Sequence, residues 1–204
     1  MESKIAVIGL GYVGLPLAIA LAKSYKVVGY DVSEHRIREI KEGYDRTNEI
    51  ESDVLKKSSL QVSTDANSML SCDVFIVTVP TPVDDSNTPD LEPLRKASTA
   101  LGEIITKGCV VVYESTVYPG VTEDFCGPIL EKVSGLKAGV DFYLGYSPER
   151  INPGEKTRPI TSILKITSGS TPQVAEQINT LYASVITAGT YLAPSIKVAE
   201  AAKA

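Results

Sequence analysis

The stretch KIAVIGLGYVG, Lys4 to Gly14, decides how this chain is read. KIAVI is a short run rich in apolar and β-branched residues, as in a strand covered on both faces. It breaks at Gly9, and Gly9, Gly11 and Gly14 then fit G-x-G-x-x-G between that strand and a helical pattern. Each glycine has its own task in a phosphate site. The first permits a tight turn, the second lets a pyrophosphate approach the backbone, and the third lets helix and strand pack closely. The helix amino terminus then offers unpaired N–H groups and the positive end of its dipole. Taken alone, the motif also has a plain packing explanation, so its surroundings matter.

The second strand ends at Asp31, about 20 residues beyond the glycines. That is where a carboxylate bonds the ribose 2′-hydroxyl of a dinucleotide. The same charge would repel a 2′-phosphate, which favours NAD over NADP. Ser33 is the better helix cap, which leaves Asp31 for a ligand. Arg36, one turn on, either covers an adenine face or extends into solvent as an ordinary arginine.

Further along, apolar runs at 4–8, 26–30, 60–63, 73–79, 109–113, 141–146 and 163–167 read as strands. Helical patterns cover 12–23, 34–42, 51–57, 93–106, 121–133, 172–183 and 195 onward. The alternation predicts an α/β, Rossmann-type doubly wound fold with a mostly parallel sheet, ending in the start of a long helix. Pro16 falls in the first turn of its helix and Thr171-Pro172 makes a good helix start. The connection PTPVDDSNTPDLEP, 80–93, is long and aperiodic; it is either a functional loop or a surface excursion, with Asp90 a candidate helix cap.

Composition narrows the classes. A chain of 204 residues with 43% apolar and 22% charged residues reads as ordinary soluble protein. A net charge of −5 without a basic stripe argues against nucleic acid as the main partner. No apolar run approaches about 18 residues, so no membrane span is expected. MESK leads directly into the first strand, too briefly for a signal peptide. Cys72, Cys109 and Cys126 include no CxxC and read as buried reduced thiols, which suits the cytoplasm. No metal site is expected.

Three later strands also end unusually: at Val79-Pro80-Thr81-Pro82, at Glu114-Ser115-Thr116, and at Ser147-Pro148-Glu149-Arg150. In a parallel sheet these carboxyl ends share one edge, the edge where ligands bind. Any one of them suits turn chemistry. Together, beside a dinucleotide fingerprint, they suggest a site.

GLGYVGLP, VPTP, YESTVYPG, SPERINPG and KVAEAAK occur in this order across essentially the whole chain. In this the sequence resembles the UDP-glucose/GDP-mannose dehydrogenase family. SPERINPG is similar to the branch that oxidises UDP-N-acetylhexosamines for Vi-type capsules and O-antigens. The resemblance implies two successive oxidations of a sugar C6, from alcohol to carboxylate, with two NAD. It implies a Rossmann domain over 1–194 and, over 195–204, the start of a linker helix to a central dimerisation domain, hence a homo-oligomer. It implies NAD contacts from Tyr12, Val13, Asp31, Arg36, Thr81 and Thr116, beside Gly9, Gly11 and Gly14. It assigns Glu149, Arg150, Ile151 and Lys203 to the UDP-sugar site, and counts Lys203, Glu149 and Thr116 as catalytic.

The chemistry asks for such groups. Hydride leaves C6 only if a base takes the hydroxyl proton. The developing oxyanion needs a positive neighbour. Glu149 is suited to act as base or to position water, unless it is a solvated loop carboxylate. Lys203 shares the apolar stripe of Ile196 and Ala199, so it either snorkels or points into a cleft. A pair with Glu200 at i, i+3 is the alternative. The family's nucleophilic cysteine lies in a later glycine-rich segment, which none of the three cysteines here matches. The expectation is a portion that binds NAD and does not turn over alone. Two other readings stay open: an NAD enzyme of the β-hydroxyacid dehydrogenase type, which VPTP and SPER disfavour, and a non-catalytic NAD-binding module.

Overall fold

β1 (Lys4–Ile8) forms where its sequence places it, with only its first residue short of full burial. In the computed structural model, residues 3–83, 89–149 and 159–203 are described. Arg150 and Ile151 fall outside them, as does the middle of the 80–93 connection. The other strands are β2 (Lys26–Tyr30), β3 (Gln61–Ser63), β4 (Val74–Val77), β5 (Val110–Tyr113), β6 (Tyr143–Tyr146), β7 (Lys165–Gly169) and β8 (Thr190–Leu192). They make one sheet in the order β3-β2-β1-β4-β5-β6-β7-β8. Every neighbouring pair is parallel except β6 and β7. The strand order reverses direction between β1 and β4, and the crevice beyond their carboxyl ends is where such sheets bind ligands.

The helices are α1 (Gly14–Leu21), α2 (Glu34–Glu42), α3 (Ser52–Lys57), α4 (Glu92–Gly102), α5 (Gly127–Ser134), α6 (Pro172–Ala183) and α7 (Ile196–Ala201). They cover both faces of the sheet. Ala6, Ile8, Phe75, Val77, Val111 and Tyr113 pack on one face with Leu94, Leu101 and Leu130 of α4 and α5. Their alternate neighbours Ile5, Val7, Val74, Ile76, Val110 and Val112 pack on the other with α1, α2 and α6. This period-two division is what makes the central strands read as continuous apolar runs. All eight residues of α1 are buried, as suits a helix apolar all round.

The three cysteines are free and buried. Burial pushes the Cys72 thiol up to about 11 and the Cys126 thiol up to about 12, so both stay protonated at neutral pH. Among the described residues no helix is long and apolar enough to cross a membrane.

Three features differ from the sequence reading. The helix expected over 121–133 opens with a wide π-type segment at Val121–Cys126 and becomes regular only at Gly127. Pro128 has no N–H to donate, so the ladder must reset there. β8 was not expected; it is three residues long, half-exposed, and pairs along β7. The strand expected over 163–167 begins at Lys165 and runs antiparallel to β6, with Tyr146 opposite Ser168. That reversal brings the amino end of β7 to the edge where β1, β4, β5 and β6 finish.

Candidate functional site

The glycine turn is built as its spacing demands. Gly9 has φ +90 and its N–H donates to Tyr30 O at 2.8 Å. A side chain there would be strained. A Cβ on Gly14 would lie 1.9 Å from Gly9 O and 2.3 Å from Thr78 Oγ1, so only glycine lets α1 approach β1 and β4 this closely. A Cβ on Gly11 would meet nothing within 4 Å. Gly11 faces open space at the helix amino terminus, the room a pyrophosphate requires. Thr78 braces the turn from β4, its hydroxyl donating toward Gly9 O at 2.6 Å.

Asp31 is held and aimed. Its Oδ2 accepts from Leu10 N at 2.8 Å and its Oδ1 from Ser33 N at 2.9 Å. Each oxygen keeps a further lone pair for a hydroxyl donor. Ser33 caps α2, its Oγ accepting from Arg36 N at 3.2 Å. Arg36 does not stand over the cleft. It is buried behind the turn, with Nε donating to Leu10 O at 2.7 Å and Nη2 to Asp45 Oδ1 at 2.7 Å. A guanidinium tied to a carbonyl and a buried carboxylate of its own chain is committed to bracing Leu10, so the adenine-covering expectation is corrected. Asp45, which anchors it, also accepts from the N–H groups of Thr47, Glu49 and Ile50. Burial opposes ionisation of Asp45, but hydrogen bonds from the Thr47 hydroxyl, from Arg36 and from the Thr47 and Ile50 amides outweigh it, holding the carboxyl below the usual range.

The ends of β4, β5 and β6 are laced together. Thr81 Oγ1 donates to Thr116 O at 2.7 Å and Ser115 Oγ to Val79 O at 2.5 Å. Tyr146 Oη donates to Ser115 O at 3.1 Å. Their bond geometry makes the rim one connected piece.

α7 is docked from the side. The Glu200 carboxylate is fully buried and accepts from Gly120 N at 2.6 Å and Thr122 N at 2.9 Å. It therefore satisfies amides at the start of the 121–134 helical segment, a cap supplied from another helix. Ile196 and Ala199 are buried beside it, as their stripe predicts. Docking in this phase puts Lys203 at the rim.

The result is a cleft of about 410 Å³ lined by Gly9, Gly11, Tyr12, Val13 and Asp31 from the first two strand ends. Thr81, Thr116, Glu149 and Lys203 line it from the later ones. An adjoining hollow of about 390 Å³ continues past Asp31 between Val32, Pro80, Lys96 and Ala97, with the apolar walls an adenine ring needs. A larger groove of about 690 Å³ lies elsewhere, between α6 and the amino ends of β4 and β5. None of the strand-end residues lines it, so we place the site at the carboxyl edge.

Lys165 at that edge was missed in the sequence, and with it the partner of Glu114. Lys165 Nζ donates to Glu114 Oε2 at 2.7 Å and to Glu149 Oε2 at 2.9 Å, and Tyr182 Oη donates to the other oxygen of Glu114. Burial pushes the Glu114 carboxyl up against the pull of Lys165. Burial likewise works against charge on Lys165, but the two carboxylates outweigh it and hold the ammonium above its ordinary range. No local signal pointed to it: only with β7 antiparallel does the β6–β7 pairing, continued past the end of β6, set Glu149 opposite Lys165.

A glycine turn at a strand-order reversal, an anchored acidic residue ending the second strand and an apolar hollow beyond it define a dinucleotide-binding domain of Rossmann type. Residues 3–186 match the model of the UDP-glucose/GDP-mannose dehydrogenase family, NAD binding domain, and the chain belongs to that family. It is 55% identical over 203 residues to the UDP-N-acetyl-D-glucosamine 6-dehydrogenase of Pseudomonas aeruginosa, covering 99% of this chain and 48% of the relative. It is 53% identical to Protein CapL of Staphylococcus aureus, covering 100% and 48%. The solved UDP-D-ManNAc dehydrogenase of Pyrococcus horikoshii superposes with a TM-score of 0.89 at 35% identity, over 98% of this chain and 49% of that one. The chain thus spans about half the length of these relatives.

NAD fits the cleft as built: open space at Gly11, a carboxylate at Asp31, an apolar hollow beyond. Replacing Asp31 by alanine is expected to weaken NAD by about 1–3 kcal/mol, the worth of a charged hydrogen bond. NADP is expected to lose less or to gain, because the repelling charge is gone. Calorimetric titration with both coenzymes reads the two affinities; an unchanged NAD affinity would take Asp31 out of the site.

Proposed function

We propose that this chain is the NAD-binding portion of a UDP-N-acetylhexosamine 6-dehydrogenase, which oxidises the sugar's C6 alcohol to the uronate in the cytoplasm. The observation that carries the reading is the convergence of Lys203, Glu149 and Thr116 on the cleft that the glycine turn and Asp31 begin. Bound NAD supplies the chemistry of accepting hydride from C6. Gly11, Tyr12 and Val13 hold its phosphates at the amino terminus of α1, and Asp31 holds a ribose. Thr81 and Thr116, joined by their hydrogen bond, shape the nicotinamide end. Lys203 takes the C6 hydroxyl proton and stabilises the oxyanion. Glu149 positions water for the hydrolytic half. We assign residues 1–194 to the coenzyme domain and 195–204 to the start of a helix leading to further domains of a homo-oligomer. Arg150 and Ile151 belong to the proposed sugar site, outside the described residues.

A polypeptide extended to the length of the relatives, given NAD and UDP-N-acetylglucosamine or its galacto or manno epimers, is expected to form two NADH per uronate. The 204-residue chain alone is expected to bind NAD and form none, because its buried thiols cannot serve a covalent route to the acid. Steady turnover by the short chain would overturn that division. NADH formation from a β-hydroxyacid and from no nucleotide sugar would overturn the substrate class.

A further inference from the structure

Directly behind the wall of the cleft, an ammonium stands between two carboxylates, and the proposed reaction uses only one of the three. Lys165 is 3% exposed, Glu114 2% and Glu149 4%. Nζ donates to both glutamates and, at 3.4 Å, to the Pro148 carbonyl, so its three protons all have acceptors. Glu114 is held in turn by the Tyr182 hydroxyl, and the Tyr182 ring lies 5.3 Å from the ammonium. The four groups come from just past β5, just past β6, from β7 and from α6, so no local turn explains their meeting. Glu114 and Glu149 both line the cleft to which Lys203 contributes.

We propose that Lys165 is a positioning residue: its ammonium, itself fixed by Glu114 and Tyr182, sets where the Glu149 carboxylate stands in the cleft. The inference rests on the reading above that Glu149 acts at the sugar's C6. The reversed direction of β7 serves this arrangement, since a parallel strand would deliver its amino end to the far edge of the sheet. Two carboxylates on one ammonium are also a more exact fixture than one. Moving Glu149 requires breaking a bond that Glu114 holds in place from the other side. A buried ion pair of this kind contributes little net stability compared with neutral residues of the same shape, so its value lies in placement.

The test follows from that distinction. Lys165→Met leaves two buried carboxylates without their counter-charge and is expected to melt at a lower temperature. Lys165→Met with Glu114→Gln removes one of the two uncompensated carboxylates and is expected to recover part of the melting temperature. In the 204-residue chain, the carboxyl ¹³C resonance of Glu149, assigned by its loss in Glu149→Gln, is expected to move or broaden in the folded double variant. In the extended polypeptide, the double variant is expected to lose kcat by about 100-fold while KM for NAD stays within about twofold. A merely structural Lys165 would restore kcat along with the melting temperature. An unmoved Glu149 resonance, or a restored kcat, overturns the proposal. A wild-type enzyme that oxidises no nucleotide sugar sinks the reaction assigned above, and the NMR comparison then decides the role of Lys165 by itself.

Discussion

Lys203→Met, made in the polypeptide extended to the length of its relatives, is expected to lower kcat for NADH formation by about 10²–10⁴-fold. The affinity of the 204-residue chain for NAD is expected to change by less than about twofold. Methionine keeps the length and apolar stem of lysine and removes only the ammonium, so packing at the rim is preserved. Lys203 lies just past α7, whose phase is fixed by the buried Glu200 carboxylate and by Ile196 and Ala199. It lines the same cleft as Glu149 and Thr116, and none of the three lines the hollow past Asp31. Under the proposed reaction, an ammonium there would meet the charge that develops on the C6 oxygen, a transition-state effect, rather than serve coenzyme binding. Stopped turnover with unchanged calorimetry supports the assignment. Equal losses in NAD binding and in rate would move Lys203 to the coenzyme, and an unchanged kcat would remove it from the chemistry.

What the sequence disclosed about this site was local, and what it withheld was relational. Gly9, Gly11, Gly14 and Asp31 are legible because their tasks are set by spacing along one strand–turn–helix–strand unit. The ends of β4, β5 and β6 are legible because a parallel sheet gathers its carboxyl ends on one edge whatever the intervening loops do. Lys165 was hidden because its place depends on the direction of β7, and in KITSG it reads as one polar residue opening a strand. Glu114 was visible as part of a strand end, but not its partner. Arg36 was misread for a related reason. Its phase on α2 is right for the cleft or the interior, and Asp45, nine residues later in an irregular loop, decides for the interior. Glu200 shows the same limit. Pairing with Lys203 at i, i+3 was a reading confined to one helix, whereas the carboxylate is bonded to backbone amides eighty residues away in sequence.

The glycine turn supplies a contrast that separates its two kinds of task. Gly14→Ala is expected to destabilise the chain by about 3 kcal/mol or more, at or beyond the upper end of overpacking effects. For a chain of this size that lowers the melting temperature by about 6–12 °C. The added methyl would fall on the Gly9 carbonyl and the Thr78 hydroxyl. Both belong to the braced junction of β1, β4 and α1, so relief requires moving the whole helix, and α1 is buried along its full length. Gly11→Ala is expected to do the reverse. Its methyl meets no protein atom within 4 Å, so the melting temperature should stay within about 2 °C. That methyl nevertheless enters space where the backbone must approach the pyrophosphate, and NAD is expected to bind about 5–150-fold more weakly, the equivalent of about 1–3 kcal/mol of crowding. Thermal unfolding and calorimetry on the two variants give four numbers, and the reading requires them to cross. If Gly11→Ala destabilises like Gly14→Ala, or both bind NAD as wild type does, the three glycines serve only the packing of α1 and the cleft is not a phosphate site.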